Sequence, residues 1–419
     1  MTAAFYERTL ASNGVEVITE TIDAVRSVAV GIWVRVGSRD ETPSEAGMSH
    51  FMEHMAFKGT PTRSAQDIST TFERLGAEFN AFTSKEYTCF FARVIDERLE
   101  DAFEVLADMV SNALLAEDAV LSEREVVLEE IARHDDTPDD AVHDLFASAL
   151  LHGHPLGEPV LGRRETVGAF TSEAVTSFKQ RHYTAQNLVV AAAGHVTHAR
   201  VVECVERWLA VPSAEKADRR LSAPTPAAGL RVVTRDTEQA HICWGVPGIP
   251  ARSEDRFVLA VLDGLFGGGM ASRLFQEVRE KRGLAYAVYS YHSLFLDTGE
   301  VVVYAGTRPD NAREVVRIVS EEAARLAADG ASEEEVHRVK ENLKGQMVLS
   351  LENTRSRMSR LGKSAVTDTE ILSVDELVAR VDAVTPADVH ALAQRLFAQP
   401  KTIAMIAPLD ADAVAEFAR

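Results

Sequence analysis

One order of strand-like and helix-like stretches is written twice along this chain, and that repetition limits what it can fold into. Alternating apolar residues in "SVAVGIWVRVGS" (Ser27–Ser38) read as a strand, and "RDETPSEAGMSHFMEHMAFKG" after it reads as a helix. Ser44 can cap the start of that helix and Gly59 can close its end. A second helix, "SAQDISTTFERLG", stops at Gly76. "AEFNAFTS" and "YTCFFARVI" then form a hairpin about a polar turn at Ser84–Glu86. Helices over 99–114, 118–134 and 138–151 follow, and Asn187–Val196 is a further strand. Later, "AHICWGVPGIP" takes the place of the first strand and "SEDRFVLAVLDGLFGGG" that of the first helix. "GEVVVYAGTR" stands where "YTCFFARVI" stood, "DNAREVVRIVSEEAARL" matches "RLEDAFEVLADMVSNAL", and "SEEEVHRVKENLKGQM" matches "LSEREVVLEEIARHD". The fold class expected is α+β: two homologous domains from a duplication, each a mainly antiparallel sheet packed with helices.

A chain of 419 residues is long for a single core and sufficient for two domains of about 200 residues each. The stretch "VPSAEKADRRLSAPTPAAG" is polar, with three prolines and little periodicity, and reads as a linker. The expected domains are therefore 1–211, a linker over 212–229, and 230–419. No apolar run approaches the roughly 18–20 residues of a membrane span. The first ten residues, "MTAAFYERTL", have neither an apolar stretch nor an Arg-rich amphipathic pattern, so a cytoplasmic chain is expected. Three scattered cysteines form no C-x-x-C, which excludes a thiolate zinc site built on that motif. A formal net charge of −20 argues against a nucleic-acid partner, because phosphate binding needs a basic surface.

Chemistry concentrates in the first helix. His50 and His54 are four residues apart, so both imidazoles share one helix face and can grip one ion. Glu53 projects near the same face, in the arrangement H-x-x-E-H. Two imidazoles and a carboxylate suit zinc and leave a position for water, whose proton Glu53 can take as general base. A third ligand must come from elsewhere, and "LSEREVVLEEIARHDD" offers Glu123, Glu125, Glu129 and Glu130. Glu123 and Glu130 are two turns apart on one face, fitting a ligand at Glu130 and a supporting carboxylate at Glu123. The helix in the equivalent place of the second half, "LDGLFGGG", has no such set.

With these residues the chain resembles the pitrilysin or insulinase family of zinc peptidases, nearest its mitochondrial-processing-peptidase group and bacterial relatives. "GMSHFMEHMAFKGT" is close to that family's motif over its length, and "HPLGEPVLG" and "NAFTSKEYT" look like family segments. The family's distal glutamate ligand lies about 76 positions after the second histidine; here 54 + 76 = 130, and Glu130 is a glutamate. The resemblance implies that Glu123 supports the site. It also implies that Arg279 and Tyr286, in "RLFQEVREKRGLAYAVYS", hold the substrate's backbone carbonyl, where a guanidinium and a phenol can stabilise an oxyanion. "EFNAFT" resembles the family's edge strand that pairs with extended substrate, with Asn80 in contact with it. "FGGGMASRLF" resembles its glycine-rich loop. The activity implied is zinc-dependent endopeptidase cleavage of peptides or unfolded segments in a closed chamber, with a metal-bound water attacking the carbonyl. For a chain of this length the resemblance also implies a chamber built by two chains, as a homodimer or a heterodimer with a related chain. The rival reading is a non-catalytic scaffold or substrate-binding subunit of such a heterodimer.

Overall fold

The computed structural model describes residues 5–214, 219, 221–222, 224–410 and 414–415. Eleven strands are named in chain order among them: β1 Glu7–Leu10, β2 Glu16–Thr21, β3 Ser27–Val34, β4 Glu78–Thr83, β5 Thr88–Ile95, β6 Leu188–Gly194, β7 Gly229–Thr234, β8 Ala240–Pro247, β9 Ala285–Leu294, β10 Gly299–Thr307 and β11 Thr402–Ala407. The helices are α1 Met48–Ala56, α2 Ala65–Arg74, α3 Leu99–Asn112, α4 Glu117–Asp135, α5 Pro138–Leu150, α6 Arg164–Gly168, α7 Ser172–His182 and α8 His198–Trp208. After them come α9 Arg256–Phe266, α10 Ala312–Asp329, α11 Glu333–Ser350, α12 Thr354–Val366, α13 Val374–Asp382 and α14 Pro386–Phe397. Among the described residues no helix is long and apolar enough to cross a membrane.

The strands form two sheets, ordered β1-β2-β6-β3-β5-β4 and β7-β11-β8-β10-β9. In the first, β2 and β6 run parallel and every other neighbour is antiparallel. In the second, β7 and β11 run parallel and the rest antiparallel. Dropping β1 leaves the same five-strand pattern twice, with the first strand beside the last in parallel each time. The duplication read from the order of elements is therefore a duplication of topology. β8 and β10 take the places of β3 and β5, as the segment matches require.

Two compact units follow. Unit 1 holds residues Met1–Ile131, Pro159–Arg220 and Leu349–Ile371; unit 2 holds Ala132–Glu158, Leu221–Val348 and Leu372–Arg419. Two segments thus cross the division expected at 212–229: α5 lies in unit 2 and α12 in unit 1. Residues 215–218, 220 and 223 of that linker lie outside the described residues.

The reason for the crossing is two-sided burial. Along β3 the even residues Val28, Val30, Ile32 and Val34 face a core shared with α1, α3 and α8. The odd residues Ala29 and Trp33 face Met358, Leu361, Ala365 and Val366 of α12. A strand buried on both faces is apolar at successive positions, which explains the unbroken run in "VAVGIWV". In unit 2, α5 does the same service: Val142, Phe146 and Leu150 cover Cys243, Val302, Tyr304, Ala404 and Ile406. Buried Glu20 of β2 pairs with Arg357 and Arg360 of α12.

The seating of α1 differs from the expected Ser44 cap. Pro43–Glu45 form a separate 3-10 turn, and α1 starts after Gly47. Gly47 adopts φ +92°, and a Cβ there would lie 2.7 Å from the Leu161 carbonyl oxygen, so the position needs glycine. No side chain caps the helix from Gly47; instead the Glu41 carboxylate accepts from the amides of Gly47 (2.7 Å) and Ser49 (2.6 Å). Burial pushes the Glu41 carboxyl up to about 8 against the pull of the Ser49 and Gly47 bonds, and its two oxygens satisfy donors that would otherwise be buried without partners. Gly76, at φ +63°, ends α2 where the sequence placed its stop.

Two expectations follow. A Cβ at Gly362 of α12 would lie 2.1 Å from Trp33 Cε2 and 2.2 Å from Nε1. Alanine is the better helix former by about 1 kcal/mol, but overpacking costs about 1–3 kcal/mol. Gly362→Ala should therefore lower the urea midpoint; a midpoint at or above the parent's would contradict this packing. Glu41→Ala strands two buried amides and should cost about 1–3 kcal/mol in the same assay, with Glu41→Gln, which keeps one acceptor oxygen, losing less.

Candidate metal centre

Helix α1 is amphipathic by necessity. Met48, Phe51, Met52 and Met55 are fully buried in the unit 1 core. That fixes the helix's rotation and leaves His50, Glu53 and His54 on the opposite flank. Helix α4 is seated the same way by Val120, Val127 and Ile131. Glu123 and Glu130, seven residues apart, then face α1.

The two helices bring three donor groups together. One ligand atom from each of His50, His54 and Glu130 lies within 4.8 Å of the others, and among the described residues this is the one group of three or more His, Cys, Asp or Glu side chains so gathered. His50 Nε2 and His54 Nε2 are 3.2 Å apart. Glu130 Oε2 lies 3.7 Å from the first and 3.6 Å from the second. His54 Nδ1 bonds Glu123 Oε1 at 2.9 Å, and the ammonium of Lys58 pairs with the other Glu123 oxygen. Glu123 is only 3% exposed, so its two partners hold it in one place. Its bond to Nδ1 orients the His54 ring with Nε2 turned toward His50 and Glu130. His50 has no equivalent support: its Nδ1 is buried and without a hydrogen bond among the described residues.

Glu53 stands beside the three. Its Oε2 accepts from the Thr83 hydroxyl at 2.6 Å. Burial raises its pKa above the ordinary glutamate value against the pull of Thr83 and His54. Burial, aided by His54, pushes His50 down to about 3, so this imidazole is neutral. For His54 burial acts downward, but the hydrogen bond to Glu123 and the charges of Glu123, Glu130 and Glu53 outweigh it and raise the pKa. Burial acts upward on Glu123, and its bonds to His54 and Lys58 bring it below the ordinary value.

The donor chemistry fits a divalent cation. Imidazole nitrogens with one carboxylate oxygen are the set zinc takes in hydrolytic sites. Three carboxyl groups (Glu53, Glu123, Glu130) and one ammonium (Lys58) surround the two imidazoles, an excess of acidic groups that suits a cation.

Of the other residues singled out in the sequence, Asn80 lies on β4, its Oδ1 accepting from the Ala81 amide. Strand alternation puts it on the face of Phe82, which packs against Trp33, away from the face of Ala81 and Thr83. Thr83, not Asn80, is the β4 residue that meets Glu53. Arg279 and Tyr286 lie in unit 2 and meet each other: Arg279 donates to the Tyr286 carbonyl at 2.9 Å and lies 4.4 Å over its ring. Arg279 sits on a π-helical turn, Phe275–Glu280, and Tyr286 is 78% exposed on the edge strand β9. Sequence reading passed over Glu41, Lys58 and Thr83. Lys58 had a signal, four residues beyond His54 on the same side of the chain's turn. Thr83 had a weaker one, its alternation with Ala81.

Comparison with known proteins follows the same lines. Residues 16–164 match the model of the insulinase family (peptidase family M16), and residues 169–343 match that of the peptidase M16 inactive domain. An uncharacterized zinc protease of Streptomyces coelicolor is 46% identical over 413 residues, spanning 96% of this chain and 89% of its own. One of Bacillus subtilis is 40% identical over 402 residues, spanning 96% and 98%. The crystal structure of a protease from Helicobacter pylori superposes with a TM-score of 0.91 at 22% identity, covering 96% of this chain and 99% of that one, and shares the fold. By these matches, which run through both halves, the chain belongs to the insulinase family of peptidases.

Proposed function

We propose that this chain is a zinc-dependent endopeptidase that cleaves peptides or unfolded segments. The observation that carries the reading is the meeting of His50, His54 and Glu130 with Glu53 beside them. His50 Nε2, His54 Nε2 and a Glu130 oxygen would hold the ion, and Glu123 with Lys58 would keep the His54 ring in its orientation. Zinc supplies a Lewis acid that polarises a carbonyl and makes water a better nucleophile near neutral pH. Glu53 is the general base: it takes the proton of the attacking water and delivers it to the leaving nitrogen. Its half-buried setting favours that exchange, because a carboxylate with a raised pKa holds the proton between the two steps.

An extended peptide would lie along β4, whose outer edge has no strand neighbour among the described residues. That mode recognises main chain and tolerates many side chains. From the resemblance alone we extend to Arg279 and Tyr286 the binding of the substrate's carbonyl, to Asn80 a contact with substrate, and to the whole a chamber built by two chains. A cytoplasmic location is part of the same reading. The names of the Streptomyces and Bacillus relatives, both zinc proteases, support the metal and the activity.

A digest of mixed peptides by the purified chain, its products read by mass with and without a chelator, tests the proposal. Cleavage should vanish with the chelator and return with zinc. Glu53→Gln should keep about one zinc per chain and lose about 10²–10⁴-fold in rate, whereas His54→Ala should lose the metal. Cleavage by Glu53→Gln at the parental rate would remove Glu53 as the base. A chain carrying less than about a tenth of an equivalent of zinc after gentle purification would favour the scaffold reading.

A further inference from the structure

We propose that Thr83 is a positioning residue that aims the Glu53 carboxylate, so that the edge strand β4 holds the base as well as offering its main chain to a peptide. The inference rests on the zinc-peptidase reading and adds a residue to it.

Three observations carry it. First, the Thr83 hydroxyl has one proton, and it goes to Glu53 Oε2 at 2.6 Å, at the short end for such a bond. The neighbouring hydroxyl, Thr88, is 3.4 Å away and commits its own proton to the Val36 carbonyl at 3.0 Å. Thr83 is therefore not needed to close the hairpin in which the two residues are paired. Second, Glu53 Oε1 makes no hydrogen bond among the described residues, so one oxygen is tied and the other is available. Third, donor and acceptor belong to different elements: Glu53 rides on α1, and Thr83 is the last residue of β4.

A glutamate side chain has a broad terminal torsion and much rotamer freedom to lose. The helix alone does not choose where the carboxylate points. A bond from a second, rigid element does. A base must come within about 2.6–3.2 Å of the proton it takes, and a misplacement of about 1 Å can cost about a hundredfold in rate. The same strand places Phe79 and Ala81 in the core on the Thr83 face, with Phe79 stacked on Phe72 at 4.2 Å. The hydroxyl is thus fixed by packing before any substrate arrives. A peptide paired to β4 would then be held in register with the base by a single strand.

The test uses the full-length chain carrying Thr83→Val or Thr83→Ser, with kcat, KM, zinc content and melting temperature measured on a peptide the parent cuts. Valine keeps the β-branched shape and removes only the hydroxyl. Thr83→Val should lower kcat by about 10- to 100-fold and leave KM within about threefold of the parent. Zinc content and melting temperature should not change. Thr83→Ser should recover most of the rate. Parental kcat in Thr83→Val would overturn the inference. So would Thr83→Ser as slow as Thr83→Val, which would assign the effect to the methyl group, or a loss confined to KM, which would assign it to peptide binding. If Thr83→Val melts early, Thr83→Ala takes its place with the same outcomes. If the parent binds zinc yet cuts no peptide, the peptidase reading fails by itself. The Thr83 inference is then decided by a crystal structure of Thr83→Val: a displaced Glu53 carboxylate supports it, and one in its parental place overturns it.

Discussion

Everything at the candidate metal centre depends on one apolar contact, the burial of Met48, Phe51, Met52 and Met55 beneath α1. Nine residues make a helix too short to be stable in isolation. It exists because that face is removed from water, and the same burial sets its rotation. The polar flank then has no freedom over which side it presents. His50, Glu53 and His54 come to face α4 and β4, and the chemistry follows from a packing decision made on the other side of the helix. The Glu41 carboxylate completes the arrangement by holding the first turn, where the position taken by Gly47 has no side chain to offer.

The site is asymmetric in a way that has meaning for the residues within it. His54 is held by a chain of partners that runs through Glu123 to Lys58, while His50 Nδ1 has no partner among the described residues and its ring meets only His54 and Glu130 through Nε2. Glu53 is held from a third direction by Thr83. Three elements, α1, α4 and β4, therefore each contribute a group whose orientation is fixed by another. A centre assembled this way is sensitive to small displacements of any one element, which is what accurate placement of the Glu53 carboxylate requires.

Much of this was legible in the sequence. Periodicity located α2 to α5 and β4, β5, β6 and β10 to within a residue or two, because their apolar patterns bury one face and survive in the order of residues, whereas α1 was read too long and α6 to α8 and α12 to α14 were not read. The i, i+4 histidines and the seven-residue step from Glu123 to Glu130 were readable for the same reason. What was not readable came from contacts between distant segments. Nothing in "RDETPSEAG" announces that Glu41 will reach forward to the amides of Gly47 and Ser49, or that Ser44 will be left in a separate turn. The tie from Thr83 to Glu53 spans thirty positions. The passage of α5 and α12 across the division was invisible too, although the unbroken apolar run of β3 hinted that its sheet has no wet face.

That crossing makes the two halves inseparable. A fragment ending at the polar stretch near residue 212 would carry every proposed ligand and the base, yet it would lack Met358, Leu361 and Ala365 to cover Trp33 and its neighbours. The remaining fragment would lack Val142 and Phe146 over its own sheet. Each would expose a strip of core to solvent and tend to associate through it. After the duplication, neither copy could be shed or borrowed as a module, so the half without the proposed ligands persists as part of what folds the half that carries them.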